Sequence, residues 1–375
     1  MGVEPKTSRR CIVLAGGGTG GHLVPGLAVA EELRRNLPDA RVVFIGTKRP
    51  VEEHMVPRAG FELRTVDAPR TPERVWQWPA YPFRLMASIS RAKAALRELS
   101  PGVVVGLGGY GSVPVVLAAK KLGVPIALME QNSVPGKANR LLSRWALEVY
   151  AQFESSRARF RNPDRVLLLG NPLRDSITKG SRERAAKRFS LEPGRRTLLI
   201  LGGSQGARTV NESVSLALGE FEQAGPVQII HQTGSLDFDR VQGRYKASGI
   251  RSHVVAFLDD MPEALAAADL VISRAGATTL AEIAACGKPS VLVPYPFAAE
   301  DHQRLNAEVY EKAGAAVMIR NAEFTPVEAG RVVKEMLFDE IRLRRMGDAA
   351  KTLAKLDATR DVCHHLLVIL ERAGS

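Results

Sequence analysis

The segments "IVLAGGGTGGH" (12–22) and "LLILGGSQGAR" (198–208) follow one plan: an apolar run, a glycine-rich loop, then an amphipathic stretch. A strand that feeds a glycine loop and then a helix gathers backbone N–H groups and the positive end of the helix at one point, where an anion can sit. Two such units in a chain of 375 residues predict two Rossmann-like domains rather than one continuous sheet.

The rest of the pattern agrees. Apolar runs of four to seven residues alternate with longer amphipathic stretches, as βα units in parallel sheets require. In the first half the strand candidates are 11–16, 41–46, 62–67, 102–108, 125–130, 148–153 and 165–170. In the second they are 197–203, 227–234, 252–258, 270–276, 290–296 and 315–319. Helical stretches are expected at 25–37 and 86–99, with the first helix starting near Gly21. Asn171-Pro172, within "LGNPLRDS" (169–176), marks the linker. The expected domains are 1–174, joined by a C-terminal helix at 356–375, and 175–355. Ligands in this architecture bind at the carboxyl ends of the strands, so the two loops are expected to face each other across a cleft.

Which anion the first loop takes is narrowed by elimination. A triphosphate loop closes its glycines with Lys and Ser or Thr, whereas His22 and Leu23 stand here. Gly16, Gly18 and Gly21 satisfy the dinucleotide spacing, but the next strand ends in "FIGTKR" and offers no carboxylate to a ribose. What survives is an anion site with His22 at the start of the helix and Thr19 as N-cap or phosphate donor.

The formal charge of +12 points to anionic partners: nucleic acid, an anionic membrane or phosphorylated substrates. No helix-turn-helix, RNP or zinc-finger spacing is present, so nucleic acid is excluded as a partner. Cys11, Cys286 and Cys363 form no C-x-x-C pair and are expected to be free thiols in a reducing compartment. No run approaches the ~20 apolar residues of a membrane span, and no signal peptide is recognisable. The segment 75–97 nevertheless sets Trp76, Trp78, Tyr81, Phe83, Leu85 and Met86 among Arg74, Arg84, Arg91, Lys93 and Arg97. That mixture suits either core packing or the headgroup layer of an anionic leaflet, and the expectation is a peripheral protein on the cytoplasmic face of the membrane.

Eight motifs, in order, carry a family resemblance: "GGGTGGH" (16–22), "GLGGYGSVPVVLAA" (106–119), "EQN" (130–132), "GNPLR" (170–174), "GGSQGAR" (202–208), "FLDDM" (257–261), "SRAGATTLAEIAACGKP" (273–289) and "DHQRLNA" (301–307). Together they resemble the MurG family of bacterial transferases, over nearly the whole chain. The resemblance implies an α/β GT-B fold, with the acceptor on the N-terminal domain and the donor nucleotide on the C-terminal one. It implies inverting transfer of N-acetylglucosamine from UDP-GlcNAc to the MurNAc 4-hydroxyl of undecaprenyl-pyrophosphoryl-MurNAc-pentapeptide, in peptidoglycan synthesis. Other cell-wall synthesis proteins are possible partners.

The resemblance also implies site residues. Gly276 to Thr279 would offer N–H groups to the UDP pyrophosphate, with Ala277, Thr278, Thr279, Leu280 and Ala281 lining the donor. Glu282 would accept bonds from the ribose hydroxyls. Ser204 would bond a donor phosphate, Arg174 would reach the nucleotide, and the backbone of Leu258 would read the uracil. Gln303 and Asn132 would touch the donor sugar. Thr19, Gly20 and Gly21 would take the lipid diphosphate and count among the donor contacts as well. His22 is the first choice as general base and Glu130 the second. Many relatives carry a histidine directly before that glutamate, whereas this chain has Met129. Asp237-Phe238-Asp239 has the Asp-x-Asp form of a metal site, but acidic residues favour a helix start on electrostatic grounds alone. No metal and no cofactor is therefore expected, with helix N-termini and arginines stabilising the leaving group. The alternatives are a GT-B transferase with a soluble acceptor, an isomerase of the UDP-GlcNAc 2-epimerase type, and a silent UDP-sugar binder.

Overall fold

The computed structural model describes residues 11–374 apart from 71, 73, 75, 77, 204 and 205. The chain forms two compact units, one running to Arg174 and resuming at Leu356, the other spanning Asp175–Lys355.

The first unit is built on a seven-stranded parallel sheet: β1 (Cys11–Gly16), β2 (Arg41–Gly46), β3 (Glu62–Thr65), β4 (Val103–Gly108), β5 (Ile126–Glu130), β6 (Glu148–Ala151) and β7 (Val166–Leu167), in the order β3-β2-β1-β4-β5-β6-β7. The order reverses between β1 and β4, which is where an open α/β sheet leaves a crevice above its strand ends. Successive residues of β1 serve opposite faces. Val13 and Ala15 join the core beneath the Tyr81–Leu99 and Val113–Leu122 helices. Ile12 and Leu14 join the core beneath the Gly20–Asn36 helix. Burial on both faces is why these strands read as unbroken apolar runs. The C-terminal helix, Ala358–Gly374, buries Val362, Leu366 and Ile369 in that second core beside Leu23 and Leu27. The Thr359 hydroxyl pins it by donating to Leu173 O (2.7 Å) and accepting from Leu173 N (2.9 Å).

The second unit repeats the design with six strands: β8 (Arg196–Leu201), β9 (Val227–Gln232), β10 (Ser252–Val255), β11 (Leu270–Ser273), β12 (Ser290–Leu292) and β13 (Ala316–Met318), in the order β10-β9-β8-β11-β12-β13. Its switch point lies between β8 and β11. All thirteen expected strands are present, so the fold is the GT-B pair of Rossmann-like domains.

One polar chain crosses the second core. His231 on β9 is fully buried, with Nδ1 2.9 Å from the Tyr245 hydroxyl and Nε2 3.1 Å from Asn211 Oδ1. The Asn211 amide nitrogen donates to Thr233 O and Asp237 Oδ2, so its oxygen must accept and Nε2 of His231 carries the proton. Burial pushes this histidine down to about 3, against a smaller upward pull from Asp237.

Candidate active site

At the strand ends of the first unit the two glycine loops lie on each other. Gly16 has φ +98°, and a Cβ there would come within 2.7 Å of Gly108 O, so the close approach requires glycine. Thr19 is the N-cap of the Gly20–Asn36 helix. Its hydroxyl bonds the ring of His22 (Nδ1, 3.0 Å) rather than a backbone N–H. The half-buried His22 ring lies against Gly108: a Cβ on that glycine would stand 2.7 Å from Cδ2 and 3.0 Å from Nε2. Thr19, Gly20, Gly21 and His22 thus form one turn, at the sheet's switch point.

Glu130 ends β5 beside this turn and is 3% exposed. Its Oε1 accepts from Asn132 N (3.0 Å) and, at 3.4 Å, from the Asn132 amide. Its Oε2 accepts from Gly136 N (3.0 Å) and the Asn139 amide (2.9 Å). Burial raises its affinity for a proton, and the four donors oppose that shift. Both oxygens are thus engaged by the turn at 132–136 and by Asn139 of the Lys137–Leu142 helix. The Arg174 guanidinium makes an ion pair with Glu31 of the Gly20–Asn36 helix at 3.4 Å, within its own unit.

Three residues with no expected role complete this corner. Arg49 donates to the Tyr110 hydroxyl through Nε (3.2 Å) and a terminal nitrogen (2.7 Å). The Arg70 guanidinium carbon lies 5.7 Å from the same ring centroid. Tyr110 belongs to "GLGGYGS", which was legible as a glycine motif, but nothing local ties Arg49 or Arg70 to it.

Past residues 76–86 the surface is apolar. Trp76 is 68% and Phe83 75% exposed, and Trp78 and Met86 stand out as well. Leu85 packs on the core, and the Arg74 guanidinium covers the Trp76 ring at 4.8 Å. The segment therefore divides: Leu85 faces inward, Tyr81 is half-buried beside Trp78, and Trp76, Trp78, Phe83 and Met86 face outward. No helix among the described residues is long and apolar enough to cross a membrane.

In the second unit a cavity of about 470 Å³ opens at the switch point, lined by Arg208, Asp237, Arg240, Arg274, Tyr295 and Phe297 among others. Ser204 lies outside the described residues. Gly276 is the N-cap of the Ala277–Ala285 helix, whose Ala277, Thr278, Leu280 and Ala281 are buried, while Glu282 is half-buried. Asn306 donates to Ala275 O (3.2 Å) and Tyr310 to Leu280 O (2.9 Å), fixing the turn and the helix start. Both come from the His302–Lys312 helix, which also carries Gln303, whose Oε1 accepts from Tyr295 N (3.0 Å). That helix is entered through Glu300 and Asp301, non-glycine residues at φ +50° and +57°. Such backbone strain persists only where the surroundings impose it. Leu258 follows β10 in an open loop.

Arg274 was not expected in the site. It donates to Val293 O, Pro294 O and Asn321 Oδ1 (3.0, 3.2 and 2.7 Å), and burial lowers its pKa to about 10. The Asp-x-Asp pair proves to be a helix start. Asp237 is the N-cap of the Phe238–Ser248 helix, and its two oxygens take bonds from Arg240 (2.6 Å) and Asn211 (2.9 Å). No group of three or more metal-ligating side chains occurs among the described residues.

Residues 12–151 match the glycosyltransferase family 28 N-terminal domain and 197–362 its C-terminal domain. A protein of Geobacter sulfurreducens named UDP-N-acetylglucosamine–N-acetylmuramyl-(pentapeptide) pyrophosphoryl-undecaprenol N-acetylglucosamine transferase is 38% identical, covering 95% of this chain and 98% of the relative. One of the same name from Desulfitobacterium hafniense is also 38% identical, covering 94% and 97%. The crystal structure of Acinetobacter baumannii MurG superposes with a TM-score of 0.73 at 29% identity, over 95% of this chain and 98% of that one. A UDP-GlcNAc 2-epimerase from Neisseria meningitidis, at TM-score 0.66 and 15% identity over 95% and 99%, shares the fold. The chain belongs to the MurG family of N-acetylglucosamine transferases, within glycosyltransferase family 28.

Proposed function

We infer that the chain transfers N-acetylglucosamine from UDP-GlcNAc to the MurNAc 4-hydroxyl of undecaprenyl-pyrophosphoryl-MurNAc-pentapeptide, the step from lipid I to lipid II. Family membership carries this reading, and the paired glycine loops in each unit supply the chemistry. The first unit takes the acceptor, with its diphosphate on Thr19, Gly20 and Gly21. The second takes UDP-GlcNAc, with the diphosphate at the start of the Ala277–Ala285 helix and the ribose on Glu282. Leu258 reads the uracil, Gln303 and Asn132 meet the donor sugar, and Ser204 and Arg174 serve the nucleotide.

His22 is the general base in this reading. This role uses the tautomer whose Nδ1–H donates to the Thr19 hydroxyl 3.0 Å away, which leaves the lone pair on Nε2. The acceptor O4 attacks the anomeric carbon opposite UDP as Nε2 takes its proton. The C1–O bond to UDP breaks, and the electron pair leaves with the diphosphate. The result is an inverted glycoside, UDP and one proton. Helix N–H groups and the guanidiniums of the cavity stabilise the departing charge. Glu130 acts as a positioning residue, since its four hydrogen bonds hold Asn132 and the loop behind it. Trp76, Trp78, Phe83 and Met86, with their arginines, seat the enzyme on the cytoplasmic leaflet as a peripheral protein, where its lipid acceptor resides.

The test is transfer of labelled N-acetylglucosamine from its UDP donor to a short-chain lipid-pyrophosphoryl-MurNAc-pentapeptide in EDTA. The expected product is the disaccharide lipid with one UDP per sugar. Product only on restoring magnesium would overturn the electrostatic account of the leaving group. Epimerised free nucleotide sugar without transfer would overturn the function.

A further inference from the structure

We propose that Arg49 and Arg70, gathered on Tyr110, form a second half of the acceptor's diphosphate site and act as positioning residues for the transfer. This rests on the acceptor reading above and adds to it a pair of side chains from outside the glycine loops.

The geometry is that of a preassembled phosphate clamp. Arg49 grips the phenol oxygen with two nitrogens, at 3.2 and 2.7 Å, and its guanidinium carbon is 5.7 Å from the ring centroid. Arg70 stands over the same ring, its guanidinium carbon also 5.7 Å from the centroid. Two guanidiniums gathered on one phenol repel each other, and among the described residues neither is seen in an ion pair with a carboxylate. Among the described residues no carboxylate balances this arrangement. Burial alone would push the Tyr110 phenol up, yet the two arginines outweigh it and lower the group, a sign of the positive field at this point.

The clamp sits beside the first glycine loop. A Cβ on Gly18 would lie 3.7 Å from Cγ of Arg49, so the arginine stem runs along the loop. A Cβ on Gly111 would meet Thr47 at 2.8 Å and Gly16 Cα at 3.8 Å, which ties the Tyr110 turn to the same place. Arg70 comes four residues before Arg74, the cation that covers exposed Trp76. A helix N-terminus provides about half a unit charge, which cannot balance a diphosphate diester, whereas two arginines can. Arg70 thus belongs to the same stretch of chain as the exposed aromatic segment proposed above to meet the membrane.

Anionic lipid headgroups are the other source of the same phosphate chemistry, and the test separates the two. Arg49→Gln, Arg70→Gln and the double variant would be assayed with a soluble short-chain acceptor, without membrane. Loss of a charge-assisted bond should raise the acceptor KM about tenfold in each single variant and more in the double. Donor KM should stay unchanged, and inorganic pyrophosphate should lose its competition with the acceptor. Arg49→Lys should recover part of the affinity, which a purely structural role through Tyr110 would not give. Unchanged acceptor KM in the double variant, with wild-type transfer intact, overturns the clamp. So does a defect confined to binding of vesicles containing phosphatidylglycerol, which assigns the arginines to headgroups. Absence of transfer by the wild-type enzyme would instead overturn the acceptor reading beneath it.

Discussion

Gly108→Ala is the sharpest probe of His22. Gly108 sits at φ +105°, which side-chain-bearing residues rarely adopt, and the strain costs about 1–3 kcal/mol. The new methyl would stand 2.7 Å from Cδ2 and 3.0 Å from Nε2 of His22. Ordinary carbon contacts are about 3.5–4.0 Å, so the imidazole must retreat by roughly 1 Å. A displacement of that size in a catalytic group costs about 10² in rate, or roughly 2.7 kcal/mol of barrier. The assay is kcat with the short-chain acceptor at saturating donor, alongside His22→Ala and the double variant. His22→Ala alone should lose roughly 10²–10⁴. If Gly108 acts through the ring, adding Gly108→Ala to His22→Ala should cost almost nothing more, because there is no longer a ring to displace. Thermal unfolding should remain cooperative, with Tm lower by a few degrees. Multiplicative losses in the double variant, or a Gly108→Ala enzyme turning over within twofold of wild type, would refute the reasoning.

Two further outcomes follow from other parts of the molecule. Trp76→Ser with Phe83→Ser should weaken partition onto vesicles containing phosphatidylglycerol by at least about tenfold, since each exposed ring contributes of order 1 kcal/mol or more when it leaves water; sedimentation with vesicles measures it, and unchanged binding contradicts the docking role. The buried His231 should make the second unit acid-sensitive. Its folded pKa, about 3, lies below the unfolded value near 6.5, so its contribution to stability is complete above pH 6.5 and is lost as pH falls toward 3. The slope is at most about 1.4 kcal/mol per pH unit, for one proton. Urea midpoints at pH 7 and pH 4 should fall less in His231→Gln than in wild type, and equal falls would contradict the assignment.

The strands were legible because doubly buried parallel strands must be continuous apolar runs, as "CIVLAG" and "RVVFIG" are. Helix starts were legible unevenly: the first falls within one residue of its expected place near Gly21, the crossover helix before β4 does not. The first helix begins at Gly20, with Gly21 and Pro25 inside it, residues of poor helix propensity that the strand end and the Leu23–Leu27 packing override. The third-strand crossover helix begins at Tyr81, with Pro82 in its first turn, five residues ahead of expectation. The site divides along the same line. Thr19 and His22 are neighbours in sequence, and their pairing could be read from the helix start. Arg49, Arg70 and Tyr110, which follow β2, β3 and β4, meet only because the sheet order is β3-β2-β1-β4, and Arg274 reaches Asn321 only through the β11–β12–β13 order. Glu130 stood out in the motif "EQN", but local sequence does not show that Gly136 and Asn139 would turn back to occupy it.

The central claim is a division of labour: the first glycine loop holds a lipid diphosphate and the second unit holds the nucleotide. Amide hydrogen exchange with UDP alone and with the short-chain acceptor alone tests it most directly. The account predicts that UDP slows exchange at 276–282 and leaves 16–23 unchanged, while the acceptor slows 16–23 and 108–112 and leaves 276–282 unchanged. Protection of 16–23 by UDP in the absence of acceptor would contradict it.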